Sequence, residues 1–320
     1  MARAVVSREE SAMRYRRQGQ LVPDGPNRPS RQRPVLRTLL SALAGLLMLA
    51  GCAGPGDHPA SDHEPTAAPA PSPGPSATGR PALKLVAIGD SIPFNAALDC
   101  PGCTGFVERY ATALEHATQR PVETNNLSEH TGLTLPGLMA ELPVYKPDLT
   151  NADAIVVGIA HNSNVLNEDT PCGTPFNETT STLEDWSKVT HACAATSADR
   201  YRRQFDKLYG TIAAWRAGRS TVLLTINKYN DWIGLKAAHL TGSQQRQTIW
   251  VHDAWNRMIC RSAEQHGFTC VDVYHAFNGP QGTESPGSLL ADDYTHPSNS
   301  GNALIAELLI DKGFDPLLRR

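Results

Sequence analysis

The sequence predicts a three-layer α/β/α sandwich with a mostly parallel central sheet of about five strands. Three observations predict it. Five short, β-rich apolar runs recur along the chain, and segments of helical period lie between them. The stretch that carries them, residues 81–320, is long enough for one such domain with a sizeable core. Strand–helix alternation implies a parallel sheet with helices packed on both faces.

The runs are Leu83 to Ile88, Val122 to Leu127, Ala154 to Val157, Thr221 to Ile226 and Thr269 to Val273. All five read as strands buried on both faces. Phe106 to Ala117, Ala198 to Arg216, Gln244 to His266 and Gly301 to Lys312 read as helices. In the second helix Tyr201, Phe205, Leu208, Tyr209 and Ile212 recur at spacings of three and four, which assigns them to the core. Two insertions interrupt the alternation. Residues 163–197 have little periodicity and hold Cys172 and Cys193, so they read as a disulfide-held loop over the site. Residues 227–243 carry Tyr229 and Trp232, the latter expected to pack against its own loop.

The beginning of the chain follows other rules. Residues 1–37 are rich in Arg, and an apolar run from Leu39 to Ala50 follows. That run is shorter than the roughly 20 residues a bilayer span needs. A basic region, a short apolar run and small residues at its end mark an export signal. Leu49-Ala50-Gly51-Cys52 resembles a bacterial lipobox, which implies that residues 1–51 are a lipoprotein signal peptide and that Cys52 receives the lipid. Residues 52–80 then comprise the lipidated Cys and a tether rich in Pro, Ala and Ser, too poor in apolar residues to fold. The expected location is the outer face of the cell membrane, or the medium if the lipobox is not used.

Removal of residues 1–51 takes away 9 of 29 basic and 3 of 32 acidic residues, leaving 20 against 29, a formal charge of −9. Such an acidic chain excludes nucleic acid as a partner, because phosphate binding needs a basic face. Contact with the membrane is expected only through the N-terminal lipid anchor. Six cysteines remain beyond Cys52. In an exported domain they read as disulfides, and their local spacing favours Cys100–Cys103, Cys172–Cys193 and Cys260–Cys270.

Two short motifs carry the chemistry. Val86-Ala87-Ile88-Gly89-Asp90-Ser91 ends the first strand, and Asp293-Tyr294-Thr295-His296-Pro297 precedes the last helix. A Ser hydroxyl is a poor nucleophile until a base takes its proton, and the base needs an orienting partner. Ser91, His296 and Asp293 supply those three parts of a Ser-His-Asp acyl-transfer site.

Gly89-Asp90-Ser91 and Asp293-x-x-His296 resemble the first and last blocks of the SGNH, or GDSL-type, hydrolases. Asn126 to Thr134, containing Gly132, is similar to that family's second block, and Ala160-His161-Asn162-Ser163 to its third. Ala160 stands where the family has Gly, and Ser163 where it has Asp. The resemblance covers roughly residues 83–315 and implies a flavodoxin-like fold. It also implies an oxyanion hole built from the Ser91 N–H, the Gly132 N–H and the Asn162 side-chain amide. The chemistry it implies is ester hydrolysis, with no metal or organic cofactor required. The α/β-hydrolase alternative fits less well, since no Gly follows Ser91 in a Gly-x-Ser-x-Gly elbow and Asp293 and His296 share one loop. His130, His161 and His252 lack ligand-like spacing and read as structural or exposed. A small-molecule, lipid or glycan ester remains open as substrate, as do acyl transfer, a non-catalytic surface-binding lipoprotein, and the oligomeric state.

Overall fold

The computed structural model describes residues 80–319, except 164, 167–168, 178–181 and 235–238. The signal peptide, Cys52 and the tether assigned from the sequence lie outside the described residues.

The main sheet contains β1 (Leu83–Gly89), β2 (Val122–Asn126), β3 (Ala154–Gly158), β6 (Val222–Ile226) and β7 (Thr269–Val271). Its order is β2-β1-β3-β6-β7 and every pairing is parallel. This is the expected doubly wound α/β architecture. Period-two alternation along the strands divides the core. Val86, Ile88, Ile155 and Val157 face one side, where they meet α3 (Leu135–Asn151), α4 (His191–Trp215) and α5 (Gly242–Gln265). Leu83, Leu85, Ala87 and Val156 face the other, against α2 (Phe106–Thr118), α6 (Val273–Asn278) and α7 (Asn299–Ile310). Burial of two opposed apolar faces supplies the main driving force for folding.

Four features depart from the sequence reading. Strand β2 is an edge strand, half-buried at its ends and exposed between them, so it is not covered on both faces. Helix α3 has no counterpart in the sequence reading. Pro143 and Pro147 lie inside it and each removes a helical hydrogen bond. Leu135, Leu138, Leu142, Tyr145 and Leu149 nevertheless form one fully covered stripe, and its burial outweighs that local cost. Helix α4 begins at His191, so the last residues of the first insertion are helical. Thr190 caps it, and the Ala-rich first turns favour helix without displaying a large-residue stripe. Finally, Val273 leaves the fifth strand, because Asp272 accepts from His275 N–H and starts α6.

The first insertion contains the hairpin of β4 (Phe176–Asn177) and β5 (Thr182–Leu183). It is clamped to the helices: Gln247 of α5 donates to the carbonyls of Trp186 and Val189, and Arg200 of α4 donates to that of Asp169. Trp232 packs edge-on against Trp186 at 5.7 Å, so it bridges the two insertions where the sequence suggested packing within its own loop. The cysteines pair as their spacing favours: Cys100–Cys103, Cys172–Cys193 and Cys260–Cys270.

Candidate active site

The chain reverses direction across the sheet between β1 and β3, since β1 leads outward to β2 and β3 leads the other way to β6. In open parallel sheets, ligands sit beyond the carboxyl ends of the strands at such a switch point. Ser91 follows β1 and Asn162 follows β3, on the two sides of it.

Backbone contacts fix the turn that carries Ser91. Gly89 pairs with Gly158 across the two strands. Its φ is +156°, and a Cβ there would fall 2.0 Å from the Gly158 carbonyl oxygen, so only glycine fits. Asp90 donates its N–H to that carbonyl at 3.0 Å. Its side chain is fully buried, and accepts from Ile92 N–H at 3.0 Å, from Ala160 N–H at 3.1 Å and from His161 N–H at 3.0 Å. Asp90 therefore ties the serine turn to the Asn162 loop. Burial pushes its carboxyl above the usual carboxylate range, against the opposing pull of the three N–H donors and Lys228. Asn126, at the end of β2, donates to the Pro93 carbonyl at 2.7 Å and holds the same turn from the other side.

The last loop is equally constrained. Asp293 Oδ1 accepts from the N–H groups of Thr295 and His296, both at 3.0 Å, while Tyr294 sits at φ +60° in the left-handed region. The hydroxyl of buried Tyr229 donates to the Thr295 carbonyl at 2.5 Å. Asn302 of α7, also fully buried, donates to Asn95 Oδ1 and to the carbonyls of Pro297 and Ser298, and accepts from Phe106 N–H. It joins the end of the serine turn to the last loop.

These supports bring the three side chains together from opposite ends of the domain. His296 Nε2 is 2.9 Å from Ser91 Oγ, and His296 Nδ1 is 2.5 Å from Asp293 Oδ2. Burial acts to lower the pKa of His296, but the Asp293 hydrogen bond and charge, with Asp99 and Asp90 nearby, outweigh it and raise the imidazole above its ordinary value. Burial acts to raise Asp293; hydrogen bonds from His296 and from the Thr295 and His296 backbone outweigh it, and the carboxyl lies below its usual range.

Gly132 is in the left-handed conformation at φ +74° in the loop between β2 and α3. Asn162 Nδ2 donates to the carbonyl of the next residue, Leu133, at 3.1 Å, so the Gly132 and Asn162 loops are joined directly. Ser163 accepts from Leu135 N–H at 2.8 Å and fixes the start of α3. Ala160 is tolerated in place of Gly: it is buried, its N–H serves Asp90 and its carbonyl accepts from Trp255 Nε1.

Several contributors carry no local signal in the sequence. Tyr229 and Asn302 act on residues 66 and 207 positions away. Asp99 and His130 lie beside His296: Asp99 Oδ2 is 2.8 Å from His130 Nε2 and 3.4 Å from His296 Nε2. The sequence marks Asp90 only as part of the Gly-Asp-Ser block, and its threefold acceptor role emerges from the fold.

Residues 87–304 match the GDSL-like lipase/acylhydrolase family. The chain belongs to that family, and it is a hydrolase of ester bonds. Among solved structures it is similar to the lipase Lip_vut3 from a goat rumen metagenome, with 19% identity and a TM-score of 0.54 over 74% of this chain and 100% of that one. It is also similar to an extracellular lipase from Streptomyces rimosus, with 17% identity and a TM-score of 0.46 over 72% and 99% of the two chains. No curated protein sequence matches it.

Proposed function

We propose that the chain is an exported, lipid-anchored serine esterase in which Ser91 is the nucleophile, His296 the general acid–base and Asp293 its orienting partner. The observation that carries this reading is the hydrogen-bonded chain from Ser91 Oγ through both imidazole nitrogens to Asp293. Ser91 Oγ attacks the ester carbonyl carbon as its proton passes to His296 Nε2. Collapse of the tetrahedral intermediate breaks the ester C–O bond, and His296 returns the proton to the departing alcohol. Water then cleaves the acyl-enzyme by the same sequence, releasing the acid and free Ser91. Asp293 fixes the Nδ1–H tautomer and stabilises the imidazolium.

The oxyanion is assigned to the N–H groups of Ser91 and Gly132 and to Asn162 Nδ2. Ser91 is the first residue of the short helix α1 (Ser91–Phe94), a position whose N–H has no intrahelical acceptor. The Leu133 carbonyl occupies one of the two Asn162 amide hydrogens, leaving the second for the oxyanion. The substrate class is a carboxylic ester of a small molecule, lipid or glycan. A panel of p-nitrophenyl esters from acetate to palmitate, beside acetylated glycans, identifies it. Ser91→Ala should abolish both hydrolysis and labelling by a fluorophosphonate; full labelling of that variant would remove Ser91 as nucleophile.

A further inference from the structure

Three side chains from three separate segments converge beside Ser91: Asp99 from the turn after α1, His130 from the loop after β2, and His296. One ligand atom of each lies within 4.8 Å of the others. The sequence separations of 31 and 166 residues form no local metal motif, which is why spacing alone gives no hint of the cluster.

One oxygen of the cluster, Asp99 Oδ2, is buried without a hydrogen-bond donor. His296 Nδ1 is engaged by Asp293, so in the neutral ring the Nε2 carries a lone pair. That nitrogen, which the Ser91 hydroxyl meets at 2.9 Å, lies 3.4 Å from Asp99 Oδ2, and His130 Nε2 lies 2.8 Å from the same oxygen. Asp99 Oδ2 is shut off from solvent, and although both rings are at ion-pair distance, neither is aligned to hydrogen-bond it. A buried carboxylate oxygen without a hydrogen bond is unfavourable, and a cation shared by the three groups removes the deficit.

We infer that Asp99, His130 and His296 form a reversible binding site for a divalent zinc-type ion. Two imidazoles and one carboxylate are a donor set suited to that ion. With bonds of ~2.0–2.1 Å, neighbouring ligands of a tetrahedral ion stand ~3.3 Å apart. The observed 2.8 and 3.4 Å separations need only small adjustment to reach that spacing. Ser91 Oγ stands 2.9 Å from His296 Nε2, so the site shares its nitrogen with the serine. Asp99 is held on a rigid turn: the N–H groups of Asp99 and Cys100 both donate to the Ala96 carbonyl, and the Cys100–Cys103 disulfide follows at once.

The consequence is inhibition. Zinc on His296 Nε2 occupies the lone pair that must receive the Ser91 proton, so the loaded enzyme cannot begin acylation. This inhibitory effect rests on the general-base role proposed for His296, whereas the binding of the ion does not.

The test uses untagged full-length chain, freed of metal by a chelator and titrated with zinc by calorimetry. Wild type and Ser91→Ala should bind one ion per chain, and Co²⁺ in its place should give the visible absorption of a four-coordinate site. Asp99→Asn, His130→Ala and the milder His130→Gln should each weaken zinc binding by at least ~10-fold, the lower end of what loss of even a supporting residue costs a metal site. Ester hydrolysis should fall with zinc and recover with chelator. The half-inhibitory concentration should rise at least ~10-fold in the Asp99 and His130 variants, each read against its own metal-free rate. Absence of saturable binding to the wild type, or unchanged affinity in all three variants, overturns the site. Zinc binding with these residue dependences by a chain devoid of esterase activity supports the site and overturns the role proposed for His296 instead.

Discussion

Asp293 serves His296 in two ways at once: Oδ2 engages the ring, while Oδ1 holds the loop through the Thr295 and His296 N–H groups. Asp293→Asn keeps an acceptor for the loop but loses the charge that favours imidazolium. We expect it to lower kcat by less than His296→Ala, which should be as inactive as Ser91→Ala because the serine and its base act as a unit. Equal losses in both would show that the carboxylate cannot be replaced at all. Asn162→Ala should lower kcat by roughly 10²–10³ with KM nearly unchanged, the pattern of a donor engaged in the transition state. Near-normal kcat would move the role elsewhere; the neighbouring Asn164, the next candidate by sequence, lies outside the described residues. Tyr229→Phe leaves the Thr295 carbonyl without its donor and should cost about 1 kcal/mol of stability in chemical denaturation.

At the scale of elements, α7 holds the site together from behind. Asn302 spends all its polar capacity on α2, the serine turn and the last loop. Asn302→Ala strands Phe106 N–H and the Pro297 carbonyl in the interior, and we expect a loss of about 2–3 kcal/mol in urea unfolding together with a lower kcat, as Ser91 and His296 lose register. A destabilised variant with unimpaired kcat would show that the two loops keep register without it. The Cys172–Cys193 bridge closes a separation of 21 residues, for which the chain-entropy model gives ~3 kcal/mol. Its removal by paired Ala substitutions should lower the melting temperature more than removal of Cys100–Cys103; the reverse ranking would mean that contacts to α4 and α5 already hold the insertion. Elements with strong apolar patterns were legible in the sequence: β1, β3 and β6 start and end within a residue of expectation. Those whose pattern is masked were not. Prolines conceal α3, small alanines conceal the first turns of α4, and the polar residues of β2 mark an edge that its β-rich run did not disclose.

Across the whole chain, the proposed triad was legible because its members sit in two short motifs; Ser91 Oγ lies 2.9 Å from His296 Nε2, and His296 Nδ1 2.5 Å from Asp293 Oδ2. Supports such as Tyr229, Asn302 and Asp99 were not legible, since each acts on partners that only the folded topology brings near. The N-terminal assignment remains a proposal with its own test. Cys52→Ser should shift the protein from the membrane fraction to the medium or leave its signal uncleaved. Equal amounts of wild type and variant in the culture supernatant would reject the lipid anchor.

The Gly89–Gly158 contact has a practical meaning for redesign. The turn that carries Ser91 stands where two backbones touch: the first obstacle to a Cβ at Gly89 is the Gly158 carbonyl oxygen at 2.0 Å, ahead of the Pro93 ring at 2.8 Å. Gly89→Ala should therefore destabilise the domain by about 3 kcal/mol, and no compensating trim of a neighbour can rescue it, because the obstruction is a carbonyl. The corollary is permissive: substitutions at exposed residues after the turn, such as Phe94 and Leu98, leave this backbone contact, and with it the seat of Ser91, unchanged.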